Sequence, residues 1–308
     1  MTTIRQDITL DGTPLVRLEN ALLRVDVAPG VGGRVVSLMD KASGHEFLWH
    51  NARLKLERCA PGSKYDPNFY GGIDELIPND MPEVFNGMKN PEHGELWTTP
   101  LAARVEGETL VLTGTLPQSG LSYERRMTLR PNSPHLDIDY CIGNPTPEVR
   151  QFMWKLHAAL QIEPGDRIEC PARTAKVIGR GTRRDSTDPF PWPIIEGQRA
   201  DIIPALDGTL DFMFLYDLEE GRMALVRPTA GLTVAYTFDK AVFPYCWLFA
   251  SFGWLDGHYT AVLEPCTTMP VSVNEAVSLG QCTSILQPGE TLATRMTLYA
   301  GPVEGEEA

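Results

Sequence analysis

Short runs of alternating apolar and polar residues, separated by turn residues, most constrain how this chain can fold. Such runs are typical of half-buried β-strands, because successive side chains of a strand point to opposite faces. Turn segments rich in glycine and proline lie between them, for example APGVGG at 28–33 and QPGE at 287–290. The predicted strands are Leu22–Val27, Arg34–Met39, Leu110–Leu116, Ser122–Leu129, Leu136–Ile142, Met153–Ile162, Ala175–Ile178, Leu210–Tyr216, Met223–Arg227, Thr233–Phe238, Tyr245–Ser251, Thr260–Leu263 and Leu292–Tyr299.

Helical periodicity is almost absent from the chain. Only Val271–Leu279, with Pro270 before it and Gly280 after it, has the pattern of a short helix. Strands this numerous with so little helix predict an all-β fold, either a large β-sandwich or a barrel. No segment has the composition of a linker, so residues 1–308 are expected to form a single domain. The segment Arg180–Asp201 is interpreted as a long loop that covers one end of the fold.

The charge of the chain limits its partners. Its formal net charge is −13 at pH 7, which argues against nucleic acid and against an anionic membrane surface. No apolar run is long enough to span a bilayer, and the N-terminal MTTIRQDITLDG lacks the apolar core of a signal peptide, so we expect a cytoplasmic protein. The six cysteines form no CxxC pair and are expected to be reduced. The oligomeric state stays open.

One stretch, Tyr70–Trp97, concentrates polar residues in the sequence YGGIDELIPNDMPEVFNGMKNPEHGELW. Its glycines and prolines are typical of irregular structure, so we predict a long ordered loop without helix or strand. Loops longer than about a dozen residues in a compact domain are usually functional or disordered, and the apolar residues in this one favour function. Its main polar residues are Asp74, Glu75, Asn79, His93 and Glu95.

Two titratable residues lie in apolar strands, where such residues are unusual. His157 belongs to the run FMWKLHAALQI, and Glu264 lies between the apolar AVL and Pro265. Burial raises the pKa of a carboxylate, which suits it to proton transfer. Two structural interpretations stay open: a core histidine that hydrogen-bonds a backbone carbonyl, and a salt-bridged glutamate at the end of a strand.

Other chemistries have weaker support. The histidines and cysteines lack the HxH, HExxH and paired CxxC spacings of metal sites, so we expect neither a metal nor another cofactor. No serine or cysteine lies in a GxSxG motif. A pair of carboxylates for glycoside cleavage is conceivable, formed by Glu264 with either Asp74 or Glu75.

Several aromatic residues lie near these polar motifs in the sequence. Aromatic rings stack on the apolar faces of sugars, while neighbouring carboxylates and amides bind the hydroxyl groups. Aromatic residues are also common in the core of a large sandwich, so the group is weak support for a carbohydrate ligand. Its members are Trp97, Trp154, Phe243, Tyr245, Trp247 and Trp254, of which Trp97 and Trp247 are our candidates for sugar contacts.

Taken in order along the chain, several motifs resemble the galactose mutarotase-like (aldose 1-epimerase) superfamily. The resemblance spans nearly the whole chain and rests on the order and spacing of the motifs. WKLHAAL is similar to the strand that carries a family histidine, and LEPCTTMP is similar to the strand that carries the catalytic glutamate. The other matching segments are LRVDVAPGVGGRVVSLMDKASGHEFLW, GGIDELIPN, HGELW and LQPGETLATRMTLYAG.

The resemblance implies a β-supersandwich with a sugar cleft and a reaction that interconverts the α and β anomers of an aldose. It implies that Glu264 is the general base for the anomeric hydroxyl and that His157 is the general acid for the ring oxygen. His93 is expected to hydrogen-bond the ring oxygen or a neighbouring hydroxyl. Asp211 is a weaker match to the family's sugar-binding aspartate.

Departures from the family pattern indicate a divergent member. The Asn-Arg pair that precedes the first family histidine is missing, and we expect Asp74, Glu75 and Asn79 to replace the arginine contacts. Galactose and glucose are therefore not expected as substrates. Both histidines and the glutamate are present, which favours an epimerase because binding alone needs no acid–base pair. Two alternatives stay open: a non-catalytic carbohydrate-binding protein of the same fold, and a hydrolase or lyase that uses Glu264.

Overall fold

Antiparallel strands make up most of the computed structural model, which describes residues 2–179, 182–184 and 188–303. Within these residues it contains 25 strands, one short α-helix (α1, Val273–Ser278) and two 3-10 turns (Asp66–Asn68 and Leu96–Thr98). No helix in this part of the chain is long and apolar enough to cross a membrane.

The strands follow one another with short connections for most of the chain. In chain order they are β1 Thr3–Leu10, β2 Thr13–Glu19, β3 Leu23–Ala28, β4 Arg34–Asp40, β5 Gly72–Leu76, β6 Glu83–Phe85, β7 Met88–Asn90, β8 Ala102–Glu106, β9 Thr109–Thr115, β10 Ser122–Leu129, β11 His135–Gly143, β12 Arg150–Gln151, β13 Lys155–Gln161, β14 Arg167–Glu169, β15 Ala172–Val177, β16 Phe190–Pro191, β17 Ile194–Ile195, β18 Gln198–Arg199, β19 Thr209–Leu218, β20 Arg222–Arg227, β21 Leu232–Phe238, β22 Tyr245–Phe252, β23 Tyr259–Cys266, β24 Ile285–Leu286 and β25 Thr291–Pro302.

Two large sheets form the sandwich, which confirms the predicted all-β architecture. The larger sheet has eleven described strands in the order β1-β2-β3-β4-β5-β13-β23-β22-β19-β15-β16. The smaller has eight in the order β14-β20-β21-β25-β11-β10-β9-β8. Apolar side chains from the inner faces of both sheets pack into one buried cluster that extends from Val16 to Ala300 along the chain. The six cysteines are free thiols.

The predicted strands all coincide with observed ones, but the prediction of an irregular loop at 70–97 is wrong in part. Gly72–Leu76 is strand β5, which lies between β4 and β13 in the middle of the larger sheet, and β6 pairs with β7 as a hairpin. All five residues of β5 are buried, because the core covers one face and a loop covers the other. A strand buried on both faces shows no alternation in sequence, so the pattern could not identify it.

Two glycines allow β5 to enter the sheet. Gly71 and Gly72 have φ angles of 93° and 78°, a region that residues with a Cβ rarely adopt. A Cβ on Gly72 would lie 2.5 Å from the carbonyl oxygen of Val35, and one on Gly71 would overlap the carbonyl oxygen of Trp49. Glycine at both positions therefore permits the close approach of neighbouring backbone.

The interpretation of Arg180–Asp201 as a loop also needs correction. Its described part contains β16, which forms one edge of the larger sheet, and the β17–β18 hairpin. Phe190 and Ile195 are buried against the main core, which anchors the segment. Residues 180–181 and 185–187, including Arg180, lie outside the described residues.

A buried carboxylate joins the two sheets. Glu75 of β5 points into the core, where its Oε1 accepts hydrogen bonds from Arg125 Nη1 (2.7 Å) and the Tyr140 hydroxyl (3.0 Å). Its Oε2 accepts hydrogen bonds from the Tyr123 hydroxyl (2.8 Å) and Trp154 Nε1 (3.0 Å). The side chains of Glu75 and Arg125 are 1% and 2% exposed, so each charge depends on the other rather than on water.

We expect Glu75→Gln to lower the free energy of unfolding by about 3–5 kcal/mol, because it leaves the Arg125 charge buried without its partner. Chemical denaturation followed by tryptophan fluorescence measures the difference. The matched control is Asp139→Asn, which breaks an exposed pair with Arg295 and should change stability by about 0–1 kcal/mol. A loss no larger than that of the control would contradict the role of Glu75.

Candidate active site

The outer face of the larger sheet carries a row of polar residues on β13 and β23. Alternate side chains of a strand point to opposite faces. On β13, Leu156 belongs to the core between the sheets, so Lys155 and His157 point to the outer face. On β23, Leu263 belongs to the same core, so Glu264 also points outward. The alternation therefore places three titratable side chains on one face.

The register of these strands brings His157 and Glu264 face to face. Ala158 pairs with Leu263 across the antiparallel β13–β23 ladder. One step further along both strands, His157 therefore lies opposite Glu264. Opposite residues in such a ladder have Cβ atoms roughly 4.5–5.5 Å apart. The two side chains can thus act on one small ligand.

Both residues line a partly enclosed cavity of about 170 Å³. Sites for drug-sized ligands typically measure roughly 300–1,000 Å³, so the volume of this cavity suits a small ligand such as a single sugar ring. Its polar lining consists of Asp66, Asp80, His93, Lys155, His157 and Glu264. Its aromatic and apolar lining consists of Tyr65, Phe69, Phe212, Phe249, Leu255 and Val262. No group of three or more His, Cys, Asp or Glu side chains in the described residues is arranged to hold a metal ion.

Lys155 lies between two carboxylates at the floor of the cavity. Its Nζ is 2.5 Å from Glu264 Oε2 and 2.8 Å from Asp80 Oδ1. The ammonium also lies 4.2 Å from the ring centroid of Trp247, a cation–π contact. The contact between Lys155 Nζ and Glu264 Oε2 is a close ion pair whose angles are not those of a hydrogen bond. Oε2 makes no hydrogen bond with any described residue.

Burial sets the charge of these carboxylates. It raises the pKa of Glu264 to about 7, because the Lys155 ammonium only partly offsets the loss of hydration and Asp80 adds a like charge. Burial acts in the same direction on Asp80, but Lys155 and His93 outweigh it and lower the pKa of Asp80. Asp80 is therefore ionised at neutral pH, whereas Glu264 exchanges its proton near neutrality.

A chain of hydrogen bonds orients His157. Arg34 donates two hydrogen bonds to Asp74 (2.6 and 2.7 Å), and the Tyr65 hydroxyl donates a third (2.9 Å). The same hydroxyl lies 3.1 Å from Nδ1 of His157. Because the Asp74 carboxylate only accepts, the single hydroxyl proton goes to it and the Tyr65 oxygen accepts the Nδ1–H of His157. Nε2 is then the unprotonated nitrogen of the neutral imidazole.

The surroundings of His157 keep it neutral. Burial, together with Lys155, His93 and Arg34, holds the pKa of His157 well below its usual range. The pKa of Glu264 therefore lies above that of His157. A single proton shared by the pair rests on Glu264.

His93 forms part of the cavity wall. Its ring stacks on Tyr65 with the centroids 4.1 Å apart and an interplanar angle of 2°. Its Nε2 lies 3.8 Å from Asp80 Oδ1, and its buried Nδ1 makes no hydrogen bond with any described residue. Burial lowers the pKa of His93, although Asp80 opposes the shift. The stacking fixes a neutral ring beside the acid–base pair.

The cavity brings together three of the nine predicted site residues, namely His93, His157 and Glu264. These are the residues to which the family resemblance assigns the acid–base chemistry and the contact with the ring oxygen. Asp74 and Trp247 lie one layer behind the cavity, in contact with residues that line it. They support the site without reaching into it.

The other four predicted residues point elsewhere. Glu75 joins the two sheets, and the Asn79 amide donates to two loop carbonyls at 2.6 and 2.8 Å. Trp97 is 2% exposed and packs among other aromatic rings. Asp211 lies on the opposite face of β19 from the cavity residue Phe212 and forms ion pairs with two arginines of the 182–184 segment. None of these four residues therefore lines the cavity.

Two charged site residues were missed by the sequence analysis. Lys155 precedes His157 by two positions, a spacing that places both on one face of a strand, so a usable signal existed. Asp80 lies within the polar stretch Tyr70–Trp97, but nothing in its sequence surroundings marks it as the partner of a lysine. Tyr65 and Phe69 come from a loop without periodicity, where sequence alone carries no signal.

Known structures share this fold across almost their whole length. The chain is similar to the Slr1438 protein from Synechocystis sp. PCC 6803, with 16% identity, 97% of this chain and 99% of that chain covered, and a TM-score of 0.73. It is similar to a galactose mutarotase-like protein from Clostridium acetobutylicum (16% identity, 98% and 99% covered, TM-score 0.70). It is also similar to a candidate aldose 1-epimerase from Escherichia coli K12 (16% identity, 97% and 99% covered, TM-score 0.69). The predicted galactose mutarotase-like fold is therefore confirmed.

A family model described as a domain of unknown function matches residues 9–201. This range includes β5 and β13, which carry Asp74 and His157, and it ends before the strand that carries Glu264. Because the model matches more than half of the sequence, the chain belongs to the family of this domain of unknown function, DUF5107.

Proposed function

We propose that this protein is a carbohydrate mutarotase that interconverts the anomers of a free aldose or an aldose derivative. One observation carries the proposal: Glu264 and His157 oppose each other across two neighbouring strands, within a cavity sized for a single sugar ring. The name of the similar Escherichia coli protein agrees with this chemistry. One fold supports many functions, so the geometry of the site carries more weight than this name.

The reaction needs two proton transfers and no change of oxidation state. One group removes the proton of the anomeric hydroxyl while the other protonates the ring oxygen. The bond between the anomeric carbon and the ring oxygen breaks, and an open-chain aldehyde forms. Rotation next to the carbonyl presents its other face, and ring closure returns both protons with the roles of Glu264 and His157 exchanged.

The pair must carry one proton to perform this cycle. Before substrate binds, that proton rests on Glu264, so Glu264 starts as the acid and Nε2 of His157 as the acceptor. Transfer of the proton to His157 gives the assignment that the family resemblance implies, with Glu264 as base. Both assignments have the same total protonation and therefore the same dependence on pH.

The site favours an epimerase over both alternatives. A protein that only binds sugar needs no opposed acid–base pair. A hydrolase or lyase acting through Glu264 needs a second carboxylate and space for two sugar units. The carboxylates considered for that role, Asp74 and Glu75, are held by Arg34 and Arg125 outside the cavity. Of the two other carboxylates in the lining, Asp80 is paired with Lys155, and burial raises the pKa of Asp66.

The cavity favours substrates without negative charge. Lys155 is the one lysine or arginine among its described lining residues, and Asp80 and Glu264 take up its charge. Asp66 adds a further carboxyl group. We therefore expect phosphorylated sugars, sulfonated sugars and uronates to bind more weakly than neutral aldoses.

We expect Glu264→Gln and His157→Ala each to lower the rate of anomer exchange by about 10²–10⁴-fold, because each removes one of the two proton transfers. Exchange spectroscopy by NMR across a panel of neutral and anionic aldoses measures the rate. The matched control is Asp166→Asn, which alters another buried, ion-paired carboxylate that does not line the cavity and should leave exchange unchanged.

Two results of this experiment would overturn the proposal. Sugar binding by the wild type without exchange above the uncatalysed rate would favour the binding protein. Release of a new reducing end from an oligosaccharide would favour the hydrolase or lyase.

We expect kcat/KM for exchange to follow a bell-shaped pH profile whose alkaline limb lies near the pKa of Glu264, about 7. As the pH rises through this value the pair loses its shared proton, so the rate falls. The acid limb lies below the usual range of histidine, because a second proton binds His157 only at low pH. A catalysed rate that keeps rising up to about pH 9, corrected for the uncatalysed reaction, contradicts the assignment.

A further inference from the structure

We propose that Lys155 is a positioning residue that keeps the proton shared by Glu264 and His157 available for exchange, and that Asp80 anchors the Lys155 ammonium beside Glu264. This inference rests on the proposed function and deepens it. It assigns two buried charged residues that the acid–base pair alone leaves without a role.

The position of the ammonium is fixed from three sides. Nζ lies between Glu264 Oε2 at 2.5 Å and Asp80 Oδ1 at 2.8 Å, and the Trp247 ring lies beneath it at 4.2 Å. The Lys155 side chain is 3% exposed, so water does not screen these contacts. The backbone of Lys155 is held by β13, which pairs with both β5 and β23. A lysine so constrained cannot move its charge away from Glu264.

The balance of charges explains why two partners are needed. A cation alone beside Glu264 favours the ionised carboxylate, and the pair then has no proton to share. A second carboxylate alone has the opposite effect and holds the proton on Glu264 too tightly. Asp80 and Lys155 together form a nearly neutral partner, which leaves Glu264 exchanging its proton near neutrality.

The other titratable groups around Glu264 do not supply this balance. Burial keeps the histidines neutral, keeps protons on the tyrosine and cysteine, and raises the pKa of the remaining aspartate. Lys155 and Asp80 are therefore the charged groups that act on Glu264. The groups considered are His157 on β13, Cys266 on β23, and Tyr65, Asp66 and His93 from the loops.

Two substitutions should move the alkaline limb of the kcat/KM profile in opposite directions. Lys155→Met removes a positive charge and should shift the limb upward by about 1–3 pH units. Asp80→Asn removes a negative charge and should shift the limb downward. This variant keeps the Lys155–Glu264 pair, so it tests the inference even where Lys155→Met does not fold. Lys155→Arg keeps the charge and should restore the wild-type limb. A purely structural role lowers the rate without moving the limb.

A direct readout separates this inference from the proposed function. The ¹³C carboxyl signal of Glu264, assigned by its loss in Glu264→Gln, reports the titration of this group whether or not sugars exchange. We expect the titration to move upward in Lys155→Met, downward in Asp80→Asn, and not at all in the control Asp166→Asn. Absence of anomer exchange in the wild type overturns the mutarotase alone. A Glu264 titration unchanged by Lys155→Met and by Asp80→Asn overturns the role of Lys155.

Discussion

Two adjacent carboxylates on β5, Glu75 and Asp74, hold the contact between the two sheets and the orientation of the candidate active site. Glu75 points inward and binds Arg125 of the smaller sheet, so the contact between the sheets depends on a compensated buried charge. Asp74 points outward and, through Tyr65, fixes the tautomer of His157. The alternation of a strand divides these roles between neighbours in sequence. The strand that joins the sandwich is therefore also the strand that orients the site.

Most of the longer strands, and the short helix, could be predicted from the sequence, because alternation and turn residues mark them. Strands β1, β2 and β8 were not predicted. Strand β5 could not be predicted, since both of its faces are covered and its charges are satisfied by residues distant in sequence. His157 and Glu264 could be identified as unusual because each interrupts an apolar run. Their opposition across β13 and β23 could not, because it depends on a register that only the folded sheet defines.

Three polar residues among the predicted site residues lie outside the cavity. Glu75 and Asn79 were chosen for their polarity and Asp211 for its match to a family aspartate, but each binds other groups of the protein rather than facing the cavity. Polar residues are often structural where the groups around them need hydrogen-bond or ion-pair partners. The charged residues that do line the cavity, such as Lys155 and Asp80, are ion-paired with each other and still border the cavity.

The cavity has a floor and a wall of different origin. Strands β13, β19, β22 and β23 supply the floor, whose side chains are held by the sheet register, while residues 65–93 outside the strands supply most of the wall. Tyr65 connects the wall to the floor, because its ring stacks on His93 of the wall and its hydroxyl hydrogen-bonds His157 of the floor. Changes at Asp66 or Phe69 would therefore reshape the space around a sugar without disturbing the hydrogen bonds beneath it. In evolutionary terms, substrate range and proton chemistry can diverge separately in this protein, with Tyr65 as the position that couples them.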